Sequence, residues 1–212
     1  ARLVRRALEL RLQVLGPDHP YAAMTQVSLA SILTGAQRHD EAIEEARGGM
    51  ETLERILPDG HPFIGFAQSN YAGALNAAGR HREAEPFLRQ IVEARRAQLG
   101  DNHPQVADSL NNLAVAVGAL GREAEARTLL LAARDIYLEA EGEDSPAAAR
   151  MQANAADFAG EDRLEERLAA LAAFDRIGID GGEDRMRLLS RTAISLAESG
   201  RLDDALARIA EA

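Results

Sequence analysis

The chain has 212 residues, a formal net charge of −10, and neither cysteine nor tryptophan. Disulfides, thiol chemistry and thiolate zinc sites are therefore excluded, and without a basic tract the chain lacks the positive patch that nucleic-acid phosphates require. No apolar run approaches the roughly 18 residues of a membrane span and no signal-peptide pattern opens the sequence, so the expectation is a cytoplasmic protein with no membrane partner.

Residues 1–16 predict a helix. Leu3, Ala7, Leu8, Leu10, Val14 and Leu15 recur at three- and four-residue steps with Arg2, Arg5, Arg6, Glu9 and Arg11 mostly between them. Gly16-Pro17-Asp18 stops it, and His19-Pro20 starts the next helix, since proline suits the first helical position, where its missing N–H has no partner to lose. From there a unit repeats. Its first helix (helix A) runs over about residues 20–36 and its second (helix B) over about 40–57. The next pairs are expected at about 62–78 with 82–99 and at 104–120 with a helix ending near 140. A fourth pair begins near Pro146, turns around residues 160–163 and closes with a shorter helix over about 164–177. A fifth has helix A at about 183–198 and a truncated helix from Leu202 to the last residue.

The period is explicit. His19-Pro20, His61-Pro62 and His103-Pro104 lie 42 residues apart, and Ser145-Pro146 follows after another 42. A fixed period of this size is the signature of a helical solenoid, which has no single central core and can be of any length. Aromatic residues make up only 4% of the chain, so Ala and Leu, strong helix formers that permit close helix packing, supply the core. Small residues agree from unit to unit: Ala30, Ala72, Ala114, Ala156 and Ala193 in helix A, and Ala42, Ala84, Ala126 and Ala205 twelve residues later. In the fourth unit a turn one residue shorter brings Arg167 to the Ala place, which predicts looser or rearranged packing there.

These residues resemble the tetratricopeptide repeat, whose pattern is W-x2-L-G-x2-Y, then A-x3-F, then P. Here it stands as Leu110-x2-Leu113-Ala114-x2-Val117, Gly121 and Ala126-x3-Leu130. The 42-residue period, with Leu-Gly-x-x-His-Pro, Leu-Asn-Asn-Leu-Ala and Gly-Arg, is similar to the kinesin-light-chain type, strongly over residues 1–142 and weakly over 143–212. The resemblance implies an all-α, right-handed α-solenoid of about five helix-turn-helix hairpins. It also implies a non-catalytic interaction module, without cofactor, that binds another protein or a peptide in the concave groove lined by the A helices. The expected organisation is one domain over 1–212, with repeats at about 17–58, 59–100, 101–142, 143–182 and 183–212 after the end of a preceding repeat in 1–16. Both ends look cut, so a fragment of a larger protein is expected, with self-association through apolar end faces as one consequence.

Groove-facing positions can be read across the units. One column holds Ser28, Asn70, Asn112, Asn154 and Arg191, and its neighbour Val27, Ser69, Asn111, Ala153 and Ser190. One turn earlier stand Met24, Phe66, Asp108, Arg150 and Arg187, and one turn later Ser31, Gly73, Val115, Asp157 and Ile194. An Asn amide offers donors and an acceptor together, so an Asn column can clamp successive peptide units of a ligand. It can equally bond to the next helix and hold the pitch of the superhelix. Relatives that capture a C-terminal carboxylate use Lys and Arg beside Asn in their first helices. Met24, Val27, Ser28, Phe66 and Ser69 stand there instead, and the basic positions gather late, at Arg150, Arg187 and Arg191, where an acidic partner would go.

The recurring His19, His61 and His103 lie a unit or more apart and cannot share one zinc, whose nitrogens sit about 2.0–2.1 Å away, so a role in capping or packing each turn is expected. Asp and Glu fall on helix faces as solvated acids do, and neither a nucleophile motif nor a glycine-rich phosphate loop accompanies them. Gly48-Gly49 inside a helix costs roughly 1 kcal/mol per glycine relative to Ala, which points to a close helix crossing or a kink. The alternative function is a sensor or regulatory segment of a larger signalling enzyme, a kinase or an ATPase.

Overall fold

The computed structural model describes residues 2–160, 163–178, 182–201, 203, 204 and 207. Among these residues all regular structure is helical. The chain divides into two compact units, Ala1–Ala94 and Arg95–Ala212. In the first lie α1 (Arg2–Leu15), α2 (Pro20–Gly35), α3 (His39–Ile56), α4 (Pro62–Ala77) and most of α5 (His81–Leu99). In the second lie α6 (Pro104–Ala119), α7 (Glu123–Glu141), α8 (Pro146–Ala156), α9 (Arg163–Ile177) and α10 (Glu183–Glu198). The truncated last helix expected from Leu202 onward, with Ala205, and residues 179–181 of the loop before α10 fall outside the described residues.

The A helices α2, α4, α6 and α8 start for a local reason. His19, His61 and His103 take extended backbone, and the ring Nδ1 of each accepts the N–H of the residue two further on: Tyr21 at 3.2 Å, Phe63 at 3.1 Å and Gln105 at 3.2 Å. Imidazole thus does what Ser or Asp does at other helix starts. Ser145, the worn fourth copy, caps α8 through its hydroxyl, which accepts from Ala148 N–H at 3.1 Å. The turns from A to B use a left-handed residue. Gly79 and Gly121 serve in two units with φ of 73° and 81°, but the first unit places Gln37 there at φ 58°.

Within the first unit α2 packs against α1, α3 and α4, and α3 also against α4. Tyr71 of α4 meets Phe87 of α5 edge-on with ring centroids 5.2 Å apart. Within the second, α6 packs on α7, α7 on α8, α8 on α9 and α9 on α10. The small positions are where these hairpins close. Ala30, Ala42, Ala72, Ala84, Ala114, Ala126, Ala156 and Ala193 are all buried. A core of Ala149, Ala153, Ala170, Leu171, Phe174, Leu188 and Leu189 joins α8, α9 and α10.

Arg167 breaks this rule by charge rather than by looseness. It is 8% exposed, and its guanidinium donates to Asp157 Oδ1 at 2.7 Å and reaches α10, as described below. Helix α8 is 11 residues long against 16 for α2, α4 and α6. It ends in a turn that brings Phe158 over Gly118 of α6, where an added Cβ would lie 2.5 Å from the ring.

Candidate interaction face

In the first unit the predicted face is uncharged. Ser28 is exposed and donates its hydroxyl to Met24 O at 2.8 Å, and Ser69 donates to Gly65 O at 2.8 Å. Asn70 is half-buried and donates to Phe66 O at 2.9 Å, so its amide is turned along its own helix. Phe66 stays 45% exposed beside it. Val27, in the neighbouring column, is fully buried and belongs to the packing between α2 and α3, where Gly49 makes room for it.

In the second unit charge appears and is largely held from within. Asp108 is exposed and accepts from the Tyr137 hydroxyl at 2.6 Å. Burial, and then this bond to a carboxylate, push the Tyr137 hydroxyl well above its ordinary pKa. Asp157 receives Arg167 on one oxygen and Arg191 on the other, so one carboxylate ties α9 and α10 back to the end of α8. Arg150 lies 4.0 Å from Asp184. Asn154 donates to Asn111 Oδ1 at 3.3 Å, which links α8 directly to α6. Asn112, Val115, Arg187, Ser190 and Ile194 are exposed, whereas Ala153 is buried in the α8–α10 core.

The predicted residues therefore gather on the A helices of each unit, but their amides and charges do different work. Asn70 bonds to its own backbone, while Asn154 bridges two helices. Arg191 is paired internally, and Asp108 is held by a tyrosine from α7 that the sequence did not flag. Also unflagged were Arg11 and Arg95, whose only sequence signal is a Thr or Ser fourteen residues on. Among the described residues no group of three or more His, Asp or Glu side chains could hold a metal ion. No helix among them is long and apolar enough to cross a membrane.

The family profile described as "Tetratricopeptide repeat" matches residues 63–139, and a second of the same description matches residues 1–21. Over these two stretches the sequence is that of tetratricopeptide repeats. Solved structures agree in fold. Nearly identical kinesin light chain TPR-like repeats from Podosopora anserina superpose with a TM-score of 0.74 at 22% identity, covering 91% of this chain and 94% of that one. A single-substitution variant of the same protein gives 0.75 at 22% identity, over 91% and 93%. BtubC (BKLC) from P. vanneervenii gives 0.73 at 18% identity, over 98% of this chain and 84% of that one. None of the curated proteins matches. The chain thus shares the all-α fold of these kinesin light chain TPR-like repeat structures, and the tetratricopeptide-repeat fold generally mediates contacts between proteins.

Proposed function

We propose that the A-helix faces bind an extended segment of a partner protein, without catalysis. One observation carries this reading. On the A helices the Ala column is sealed while most adjoining positions, Val27 and Ala153 excepted, carry polar or exposed apolar side chains, Ser28, Phe66, Ser69 and Asn70 in one unit and Asp108, Asn111, Asn112 and Asn154 in the other. The uncharged face around Phe66 suits an apolar side chain, flanked by hydroxyl and amide groups that can bond to peptide backbone. The face of α8 and α10, with Arg150 and Arg187 and with Asp157 already neutralised by Arg167 and Arg191, suits an acidic stretch.

Display of random peptides tests both parts. Bound sequences should be enriched in Asp and Glu, and in apolar residues at a separate position. Phe66→Ser, Asn112→Ala or Arg150→Ala should each weaken binding by about tenfold, the effect of one interface residue worth roughly 1.4 kcal/mol. Arg47→Ala and Arg89→Ala, on B helices, should leave binding unchanged. Peptides that lose affinity only with the B-helix substitutions would overturn the proposal.

A further inference from the structure

In three places one arginine Nη1 donates at once to a backbone carbonyl and to the hydroxyl four residues later on another helix. Arg11 of α1 reaches Tyr21 O at 3.4 Å and Thr25 Oγ1, both on α2. Arg95 of α5 reaches Gln105 O at 3.0 Å and Ser109 Oγ at 2.6 Å, both on α6. Arg167 of α9 reaches Arg191 O at 2.9 Å and Ser195 Oγ at 2.6 Å, both on α10. In the first two cases the hydroxyl spends its proton on the same carbonyl, Thr25 on Tyr21 O at 2.7 Å and Ser109 on Gln105 O at 2.9 Å. Its lone pairs are then turned to the guanidinium, which is donor-only and needs two acceptors here. Thr25 and Ser109 are 5% and 1% exposed, so the hydroxyl ends of these contacts are interior, while Arg11 is exposed and Arg95 half-buried.

Arg11 and Arg95 are 84 residues apart, as are Thr25 and Ser109. Midway between them, one 42-residue period on, the same two places hold Leu53 and Ala67, both fully buried. One period after Arg95 and Ser109 they hold Tyr137 and Met151, also buried. Successive junctions between a B helix and the next A helix thus carry Arg/Thr, Leu/Ala, Arg/Ser and Tyr/Met, and like pairs are never neighbours in sequence.

We propose that this residue pair is a junction key that determines which A helix each B helix accepts. The repeats are built to one plan, and their alanine surfaces are nearly interchangeable. Attraction alone would tolerate pairing one repeat out of step, within a chain or with a second copy. The keys supply the penalty. An arginine end set against Ala67 or Met151 brings a guanidinium up to a buried apolar place with no hydroxyl to receive it, so the partly desolvated donor is left without its bond. A leucine end set against Ser109 forfeits the bridge. Specificity then comes from what the wrong pair loses.

Arg95→Leu combined with Ser109→Ala copies the Leu53/Ala67 key one repeat further on and tests the proposal in the full chain. Refolding from denaturant over a range of protein concentrations is followed by size exclusion with light scattering, and thermal unfolding is measured on the monomer. The double variant should be less destabilised than the sum of its two single variants, and its oligomeric fraction after refolding should rise about tenfold, the effect of roughly 1.4 kcal/mol of lost discrimination. Purely additive single costs, or a monomer yield equal to the parent's, would overturn it. Should that variant fail to fold, Arg11→Leu with Thr25→Ala makes the same exchange at the other arginine key, with the same two readouts.

Discussion

The adjacent glycines of α3 should respond to alanine with opposite signs. In both cases the substitution recovers about 1 kcal/mol of helix propensity. At Gly49 the new Cβ would sit 2.7 Å from Val27 Cγ2 and 3.0 Å from Ala23 O, both on α2. Neither can step aside, because Val27 is fully buried and β-branched and the other atom is backbone. Carbon atoms prefer about 3.5–4.0 Å, so the hairpin must open by about 0.5–1 Å, which forfeits a quarter to a half of each contact across it. Overpacking of this kind costs about 1–3 kcal/mol. Set against the propensity gain, Gly49→Ala should destabilise by up to about 2 kcal/mol, or several degrees at about 2–4 °C per kcal/mol. At Gly48 the new Cβ would meet Gln26 Nε2 at 2.8 Å, the far end of a flexible side chain that can swing away. Gly48→Ala should therefore stabilise by about 0.5 kcal/mol. Urea unfolding followed by circular dichroism measures both, and Val27→Ala in the Gly49→Ala background should return part of the loss. A Gly49→Ala protein at least as stable as the parent would refute the close approach between α2 and α3.

Three further outcomes follow from other parts of the fold. Gln37 holds the left-handed turn position that Gly79 and Gly121 fill elsewhere, so Gln37→Gly should raise stability by about 0.5–1 kcal/mol in the same unfolding assay. Arg167→Ala restores the residue seen at Ala42, Ala84 and Ala126, yet it should destabilise by about 2 kcal/mol, because Arg191 O and Ser195 lose this donor and Asp157 keeps only Arg191. Hydrogen exchange should place that loss in α8 to α10. The exposed carboxyls of Asp18, Glu41 and Glu83 are held below their ordinary pKa chiefly by side-chain bonds to Arg55, Arg38 and Arg80. Their contribution is present above the ordinary carboxylate range and is lost as pH falls through the lowered folded-state values, below about 4. Acid titration of the unfolding midpoint should show this slope, flattened by Asp18→Asn and by added salt.

The columns of the A helices were legible as positions but not as bonds. The 42-residue period fixes which residues share a column, and on most A helices the Ala column is buried and the Asn column beside it reaches solvent. Yet Asn70 turns to Phe66 O, whereas Asn154 crosses to Asn111. The residue type is the same in both, and the difference lies in the residue 43 positions earlier, which is the buried Val27 for Asn70 and Asn111 for Asn154. Val27 likewise shares a column with Ser69 and Asn111 but is buried, because Gly49 opens a space for it that Ile91 and Ala133 do not mark as special in sequence.

What the sequence determined by itself is everything carried by contacts within a few residues. Pro20, Pro62, Pro104 and Pro146 start helices, the His or Ser before each caps them, and Ala at fixed places closes each hairpin. The starts and caps depend on i to i+4 geometry and the Ala places on the 42-residue period, both of which a linear pattern records faithfully. What the tertiary structure decided is the destination of each long side chain. Arg11 and Arg95 look like surface arginines of amphipathic helices, and Arg167 looks like a misplaced residue at an Ala position. Each nevertheless satisfies a carbonyl and a hydroxyl 10 to 28 residues away. A guanidinium on a flexible stem can reach many acceptors, and only the angle and spacing between two packed helices select one.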